Sequence, residues 1–233
     1  NVKYIQQDLK NIDKEFFYDV ENPKNLIHLA WGNLPNYDSN YHIDEELPIQ
    51  LDFIKKFISC GSKNITISGT CFEYGNSSGC LHENDNLNPI NRYGEAKVRL
   101  LNHLIKLKKE NNFNLTWARL FYMYGNGQNP KSLWPQIQNA VKNNISEFNI
   151  ASDQLRDYLH IENVAQYLVH LSLLNKDIGV VNVCSGNPIS IKELVEGWIK
   201  EYKWDIKLNL GRYPFSPNEP LSFWGNNNKL LKL

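Results

Sequence analysis

The sequence lacks several features that would assign it to a common class of protein. The four cysteines contain no C-x-x-C pair and have no histidine at zinc-ligand spacing, so we expect neither a metal site nor a disulfide framework. No stretch approaches the roughly 20 consecutive apolar residues that span a bilayer, and the first residues lack the charged-then-apolar pattern of a signal peptide. Basic and acidic residues balance at 25 each, without an evident basic face, which argues against nucleic acid as a partner. We therefore expect a cytoplasmic protein with reduced thiols.

A globular α/β protein is indicated by what the sequence does contain. Its 233 residues, 42% of them hydrophobic, can bury a substantial core. Short apolar runs at 25–31, 64–68 and 114–121 are typical of buried strands. Amphipathic stretches at 46–60 and 93–112 lie between them. This alternation predicts strand-helix-strand units and a mostly parallel sheet.

The second half of the sequence has a different pattern. Turn residues are frequent, and helices are predicted at 132–142, 161–174 and 191–202. The last of these has the clearest start, because Ser190 and Glu193 form an S-x-x-E capping box.

A glycine-rich turn of the form G-x-G-x-x-G or G-x-x-G-x-x-G does not precede the first predicted strand. Such a turn normally opens a dinucleotide-binding fold, because its glycines let the backbone approach the pyrophosphate. Residue 1 is Asn rather than Met, and the chain begins where a strand would end at Asp8. We therefore expect a doubly wound fold that is incomplete at its front.

Tyr93 and Lys97 are the first candidates for chemistry. They lie one helical turn apart, although a Tyr-x-x-x-Lys pair occurs about once by chance in a chain of this composition. A lysine ammonium on the same helix face stabilises a phenolate and lowers the tyrosine pKa. With a hydroxyl such as that of Thr70, which follows the strand 64–68, the pair could exchange a proton with an alcohol or ketone while hydride moves at the same carbon. For Lys97 the alternatives are a solvated helix lysine and a Schiff-base nucleophile.

Several motifs resemble the extended short-chain dehydrogenase/reductases, which include the NAD-dependent nucleotide-sugar epimerases and dehydratases. They are "SGTCFEYG" (68–75) and "NPINRYGEAK" (88–97). "IHLAW" (27–31) is similar to the family's H-L-A-A/W strand end, and "ARLFYMYGNGQ" (118–128) to its R-x-x-x-x-Y-G turn. "QLRDYLHIENVAQYL" (154–168) resembles the highly specific signature R-D-Y/F-I/L-H-V/I-x-D/N-V-A. The likeness extends from Asp8 to the last residue.

The resemblance implies a role for each matching residue. Tyr93 corresponds to the catalytic acid/base, Lys97 to its ribose-holding activator, and Thr70 to the hydroxyl that bonds the reacting oxygen. The expected contacts with NAD or NADP come from Asp8, Leu29, Ala30, Trp31, Ser68 and Lys97. The expected contacts with the nucleotide sugar come from Thr70, Tyr122, Arg156 and Arg212. Arg156 matches the arginine that holds the diphosphate, its alternative being a structural salt bridge with Asp157.

Departures from the family pattern reduce the range of reactions that we expect. Cys71 and Phe72 stand where the 4,6-dehydratases carry Asp and Glu, so dehydration of that type is not expected, and Glu73 is expected to serve the turn. Tyr122 stands where many members carry a phosphate-contacting Asn. Ser216 replaces an arginine of the family, and Arg212 is either a substitute for it or a surface residue.

The sequence therefore predicts an NAD(P)-dependent nucleotide-sugar epimerase or 4-ketoreductase with a Rossmann-like sheet. Residues 1–121 are assigned to a partial dinucleotide-binding domain and 122–233 mainly to a smaller substrate lobe, with the chain crossing back near 151–186. A homodimer through helices containing 52–60 and 98–107 is expected from the family. The alternative is a non-catalytic fragment that binds a nucleotide sugar or a partner. The nucleotide, the sugar and the choice between NAD and NADP stay open.

Overall fold

A computed structural model describes residues 2–151, 154–211 and 220–233. The chain divides into two compact units. The first unit comprises Asn1–Gly75, Leu87–Arg119 and Leu168–Val181. The second unit comprises Asn76–Asn86, Leu120–Tyr167 and Asn182–Leu233. The chain therefore enters the second unit briefly before helix 92–110, an excursion that the sequence did not predict.

The strands of the described residues are short, and they are named in chain order. They are β1 (Asn25–His28), β2 (Asn64–Thr70), β3 (Gly79–Leu81), β4 (Asn114–Leu120), β5 (Tyr122–Tyr124), β6 (Glu147–Ile150), β7 (Leu155–Arg156), β8 (Tyr158–His160), β9 (Gly179–Val183), β10 (Ile189–Ser190), β11 (Lys207–Leu210) and β12 (Phe223–Gly225).

The α-helices of the described residues are α1 (Lys14–Asp19), α2 (Leu47–Ser59), α3 (Arg92–Glu110), α4 (Leu133–Lys142), α5 (Ile161–Leu173) and α6 (Ile191–Tyr202). A π-helical turn, His42–Glu46, runs directly into α2, and a 3₁₀ turn, Cys71–Tyr74, follows β2. Further 3₁₀ turns lie at Leu9–Asn11 and Leu230–Lys232.

The main sheet has the strand order β1-β2-β4-β9. β1 pairs with β2 in parallel, with Asn25 opposite Asn64 and His28 opposite Ile67. Nearly every side chain of β2 and β4 is buried, as expected for central strands that are covered on both faces. The predicted α/β fold with a parallel sheet is confirmed. Ligands of such sheets bind beyond the carboxyl ends of the strands, which directs attention to the residues after His28 and around Thr70.

Helix α3 positions the predicted catalytic pair. Asn91 caps its start, because the Asn91 side chain accepts a hydrogen bond of 2.8 Å from the Gly94 N–H. The helix packs against the sheet and α2 through a buried stripe that includes Leu100 and Leu104. Tyr93 and Lys97 belong to the same buried stripe, one turn apart.

The second unit is assembled from pairs of short strands and two helices. β5 pairs with β8, β6 with β11, β3 with β12, and β7 with β10. Helices α4 and α6 contribute Trp134, Ile137, Val195 and Trp198 to a second core. The predicted Ser190–Glu193 capping box is present at the start of α6.

Several predicted strand ends differ from the structure. The described residues 2–8 form no strand, and Asp8 instead caps a 3₁₀ turn. The strand predicted at 114–121 ends at Leu120. The strand predicted at 25–31 ends at His28, because Leu29 and Ala30 are exposed and the Gly32 N–H donates to the Glu46 carboxylate instead of a neighbouring strand. The strand predicted at 64–68 continues to Thr70. Of the described residues, none form a helix with the length and apolarity of a membrane span, and no three His, Cys, Asp or Glu among them are grouped to hold a metal ion.

Candidate active site

Thr70 and Tyr93 meet at the carboxyl end of β2. Thr70 is the last residue of that strand, Tyr93 lies in the first turn of α3, and a hydrogen bond joins their hydroxyl groups. The side chains of Thr70 and Tyr93 are both buried. The structure therefore brings together two of the three predicted catalytic groups.

Lys97, the third predicted catalytic residue, is buried within the first unit. Its ammonium donates to the Ser68 carbonyl at 2.8 Å and lies 4.0 Å from the centre of the Trp31 ring. The same nitrogen is 5.8 Å from the centre of the Tyr93 ring. Burial lowers the pKa of Lys97 from 10.5 to about 7, although the carboxylates of Glu73 and Glu46 act in the opposite direction.

The lowered pKa of Lys97 predicts a specific pH dependence of stability. Between pH 7 and 10.5 the unfolded chain binds a proton that the folded chain has lost, so the wild-type free energy of unfolding rises with pH across this range. In Lys97→Met this contribution is absent. We therefore expect the difference in the free energy of unfolding, variant minus wild type, to be largest at pH 6 and to decrease as the pH rises to 9.

Urea unfolding of both proteins at several pH values measures this difference. Lys106→Met removes an exposed lysine from the same helix and should leave the pH dependence as in the wild type. Parallel curves for wild type and Lys97→Met would show that Lys97 keeps its ordinary proton affinity in the folded chain.

Aromatic rings surround Tyr93. The rings of Trp31, Tyr37, His42 and Phe72 have their centres 5.6–6.3 Å from the centre of the Tyr93 ring. Burial raises the pKa of Tyr93 well above its ordinary value, and the Glu73 carboxylate raises it further. The direction is opposite to the lowering expected from Lys97, because removing the phenolate from water outweighs an ammonium that is itself buried. Tyr93 is therefore a proton-carrying phenol at neutral pH.

Glu73, next to the pair Thr70–Tyr93, carries a fully buried carboxylate. It accepts hydrogen bonds from the Thr70 N–H at 2.8 Å, from the Trp117 indole at 3.0 Å and from Arg119 Nε at 2.8 Å. With Thr70 it forms a capping box around the turn Cys71–Tyr74, which confirms the expectation that Glu73 serves the turn. The ion pair with Arg119 was not predicted, although the spacing T-x-x-E is a capping-box signal that could have directed attention to Glu73.

The loop after β1 is held by the π-helical turn. Glu46 accepts from the Gly32 N–H at 2.7 Å, and His42 joins the Trp31 indole at 3.1 Å. An indole N–H only donates, so His42 Nδ1 accepts and His42 Nε2 donates to the Asn36 carbonyl. These contacts fix the Trp31 ring over Lys97. No sequence pattern had indicated His42 or Glu46, because their partners, Trp31 and Gly32, lie 11 and 14 residues away in the chain.

The histidine of the first strand, His28, has a structural role. His28 is buried and hydrogen-bonded to Gln50. Burial lowers the pKa of His28 to about 4, so the ring is neutral in the folded chain. It does not reach the proton-transfer groups through any described hydrogen bond.

The residues predicted to hold a dinucleotide lie in the first unit and fit such a group. Leu29 and Ala30 are exposed directly after β1, and Ser68, two residues before the end of β2, accepts from Lys97 through its carbonyl. The Lys97 ammonium has three N–H donors, of which one is used by Ser68 among its described hydrogen bonds. Asp8 is exposed, and one oxygen of its carboxylate accepts from the Lys10 N–H at 3.0 Å. A buried ammonium with remaining donor capacity suits a ribose hydroxyl.

Of the predicted substrate contacts, Tyr122 and Arg156 lie in the second unit, whereas Thr70 lies in the first. The Arg156 guanidinium is buried, donates to the carbonyls of Leu155 at 2.9 Å and Leu221 at 3.0 Å, and lies 4.7 Å from the centre of the Phe223 ring. The ring of Tyr122 packs on those of Tyr158 and Phe223. These contacts anchor both side chains in place.

Asp157 follows Arg156 in the same signature and links two segments of the second unit. The Asp157 carboxylate accepts from the backbone N–H groups of Ser185 at 2.6 Å and Gly186 at 2.9 Å, so it joins separate segments of the second unit. Burial raises the pKa of Asp157 against the effect of these donors. Arg212 lies outside the described residues.

A cavity of about 180 Å³ lies in the second unit. Its lining combines the rings of Phe148 and Tyr158 with the amides of Gln136 and Asn149 and the ammonium-bearing Lys131. Aromatic faces beside amide groups suit a flat polar ring. The sequence had not indicated this cavity.

The chain matches known proteins along most of its length. A family model described as "NAD dependent epimerase/dehydratase family" matches residues 2–184, more than three quarters of the chain. A curated relative, the dTDP-6-deoxy-L-talose 4-dehydrogenase (NAD(+)) of Aggregatibacter actinomycetemcomitans, is 28% identical over 208 residues, which are 88% of this chain and 76% of the relative. The ADP-L-glycero-D-manno-heptose-6-epimerase of Brachyspira hyodysenteriae is 28% identical over 139 residues, 56% of this chain and 44% of that protein.

A solved structure supports the fold. The UDP-N-acetylglucosamine 4-epimerase of Methanobrevibacter ruminantium, in complex with UDP-N-acetylmuramic acid, superposes with a TM-score of 0.82 at 18% identity, covering 98% of this chain and 75% of that one. Such an identity shows the fold alone. The family is shown by the family model, which matches more than half of the chain: the chain belongs to the NAD dependent epimerase/dehydratase family.

Proposed function

We propose that the chain is an NAD-dependent oxidoreductase that acts at a ring carbon of a nucleotide-linked sugar, as a 4-ketoreductase or dehydrogenase or as an epimerase. The observation that carries this proposal is the buried, hydrogen-bonded pair Thr70–Tyr93 beside Lys97 at the carboxyl end of β2. Tyr93 serves as the acid/base.

The positions of these groups support the proposed proton transfer. The hydroxyls of Thr70 and Tyr93 address the same substrate oxygen, since they are hydrogen-bonded to each other. In reduction, Tyr93 donates its proton to the carbonyl oxygen as the carbon receives hydride, and in oxidation the phenolate takes the proton from the hydroxyl. A bound nicotinamide dinucleotide supplies or accepts the hydride. Lys97 places positive charge beside the phenol when it is protonated.

The dinucleotide contacts are assigned to the residues at the strand ends. Lys97 holds a ribose hydroxyl, Ser68 and the backbone of Leu29, Ala30 and Trp31 line the dinucleotide, and Asp8 meets the adenine end. Support comes from the exposure of Leu29, Ala30 and Asp8 and from the donor capacity of Lys97.

The sugar nucleotide is assigned to the second unit and to Thr70. Arg156 is proposed to hold the diphosphate through its guanidinium, with Tyr122 beside it, and Arg212 stays a candidate for the same group. The cavity lined by Phe148 and Tyr158 is proposed to hold the flat base.

Dehydration by a 4,6-dehydratase mechanism is disfavoured at this site. Cys71 is buried, and Phe72 packs its ring on those of Tyr37 and Tyr93. The nearby carboxylate, that of Glu73, is engaged by Arg119 and Trp117. No carboxyl group is therefore placed at these two positions to remove water.

The experiment that tests the proposal is calorimetric titration of the 233-residue chain with NAD(H) and NADP(H), in wild type, Lys97→Met and the control Lys106→Met. We expect the chain and the control to bind NAD(H), and Lys97→Met to bind at least about tenfold more weakly, since a ribose hydrogen bond to a charged group is worth about 1.5–3 kcal/mol. Equal affinity in Lys97→Met would contradict the assignment of Lys97.

Turnover is then measured with dTDP-6-deoxy-L-talose and with ADP-L-glycero-D-manno-heptose, the sugars in the names of the two relatives. The appearance of reduced dinucleotide in solution indicates a dehydrogenase, whereas interconversion of the sugar without it indicates an epimerase. A chain that binds neither NAD nor NADP would overturn the proposal.

A further inference from the structure

Glu73 makes more contacts than a turn requires. Both of its oxygens are used: one accepts from the Thr70 N–H and the other from Arg119 Nε, while the Trp117 indole lies within hydrogen-bond distance of each. Arg119 in turn donates to the Tyr74 hydroxyl at 2.8 Å and lies over the Tyr74 ring. The carboxylate is thus fixed between β4 and the turn that carries Thr70.

The turn itself has little freedom to move away from Tyr93. A Cβ atom on Gly69 would lie 2.7 Å from a Glu73 oxygen, and one on Gly94 would lie 2.7 Å from the Phe72 carbonyl oxygen. Because both positions are glycine, the Glu73 carboxylate can pack against Gly69 and the start of α3 can pack against the turn Cys71–Tyr74. Thr70 is therefore held by its backbone while its hydroxyl bonds Tyr93.

We propose that Glu73 is a positioning residue: its carboxylate fixes the Thr70 hydroxyl against Tyr93 and, as a buried negative charge, keeps the Tyr93 phenol in its proton-donating form. This inference rests on the proposed function and adds a preferred direction to it. At neutral pH the resting site is ready to protonate a ketone oxygen, whereas oxidation of an alcohol requires the phenolate that Glu73 disfavours.

The groups that face Tyr93 account for this effect. They are Tyr37 on the loop after β1, His42 on the π-helical turn, Cys71 and Glu73 on the 3₁₀ turn and Lys97 on α3. Arg119 on β4 lies behind Glu73, and Glu46 on the π-helical turn acts on Lys97. Glu73 ranks first among the charged groups that raise the pKa of Tyr93, after burial itself. Between buried groups such as Glu73 and Tyr93, charges are screened less than in bulk water.

The reductive step balances with these groups. The ketone carbon gains a hydride from reduced NAD, forming a C–H bond while the C=O π bond breaks. The freed electron pair on oxygen takes the Tyr93 proton and forms the O–H bond. The resulting phenolate, which Glu73 destabilises, is reprotonated by Lys97 or solvent before the next turnover.

The test replaces Tyr93 with difluorotyrosine, whose phenol is intrinsically far more acidic, and follows its ionisation by ¹⁹F NMR in the ligand-free chain. The substitution is made in wild type, Glu73→Gln, Arg119→Gln and the double variant. Because both single variants break the same ion pair, both lose similar structural support. The charge that remains differs: Glu73→Gln leaves the positive charge of Arg119, and Arg119→Gln leaves the negative charge of Glu73.

We expect the ionisation midpoint to fall by about one pH unit or more in Glu73→Gln and to rise in Arg119→Gln, with the double variant between wild type and Glu73→Gln. Shifts of both single variants in the same direction, or no shift, would overturn the proposal. If Glu73→Gln does not fold, Glu73→Asp and the double variant decide. The midpoint of Glu73→Asp, which keeps the negative charge, should stay nearer to the wild-type midpoint than the midpoint of the double variant does.

The same variants separate this inference from the proposed function. With a turned-over nucleotide sugar, Glu73→Gln should move the rising limb of the pH profile for oxidation to lower pH by the same amount as the ¹⁹F midpoint. A midpoint shift without turnover on any nucleotide sugar counts against the proposed function and leaves the role of Glu73 intact. Normal turnover with an unchanged pH profile counts against Glu73 alone.

Discussion

Tyr93→Phe is expected to lower kcat for nucleotide-sugar turnover by about 10²- to 10⁴-fold, the usual contribution of a positioned general acid or base. The substitution removes the hydroxyl that bonds Thr70 and leaves the ring among Trp31, Tyr37 and Phe72. The fold and the affinity for NAD(H) should therefore be retained. Steady-state kinetics with a calorimetric titration of the same preparation measures both quantities.

Tyr18→Phe is the matched control, because Tyr18 is 73% exposed and makes no contact with the site. It should keep wild-type turnover. If Tyr93→Phe also kept it, the proton would come from another group and the assignment of the acid/base would be wrong.

The second large effect concerns stability. Arg119→Met is expected to lower the free energy of unfolding by about 3–5 kcal/mol, because the substitution leaves the Glu73 carboxylate buried without its charged partner. Arg119 and Glu73 are exposed by only 1% and 0%. Urea unfolding monitored by circular dichroism measures the change.

Arg99→Met is the surface control, since Arg99 pairs with Glu95 on the exposed side of α3. Its loss should cost less than about 1 kcal/mol. Adding Glu73→Gln to Arg119→Met should recover part of the lost stability, since no charge then stays buried. A cost for Arg119→Met no larger than that for Arg99→Met would contradict the buried ion pair.

Local patterns predicted the helices and the central strands well. Helix α6 occupies the predicted 191–202, because a capping box and an amphipathic run define it without help from distant residues. Helix α3 likewise begins where Asn91 caps it. Strand ends were less predictable: β1 stops at His28 because Glu46 takes the next backbone donor, and this partner is 14 residues away from Gly32.

Pairings between distant short segments could not be predicted. β3 and β12 pair across most of the chain, and neither carries a pattern of its own in three residues. The same holds for Glu73 and Arg119, which lie 46 residues apart. The sequence located the residues that are proposed to transfer the proton, whereas the side chains that contact them from distant segments became visible only in the fold.

The most direct test of the account is transfer of deuterium from dTDP-6-deoxy-L-talose, labelled at the carbon that is oxidised, to NAD. The wild-type chain is predicted to yield reduced dinucleotide that carries the label if it is a dehydrogenase, or the epimeric sugar with its label retained if it is an epimerase, as read by mass spectrometry, and Tyr93→Phe to yield almost none of either in the same time. Product formation that is unchanged in Tyr93→Phe, or a chain that binds NAD yet yields neither product from any nucleotide sugar, would contradict the account.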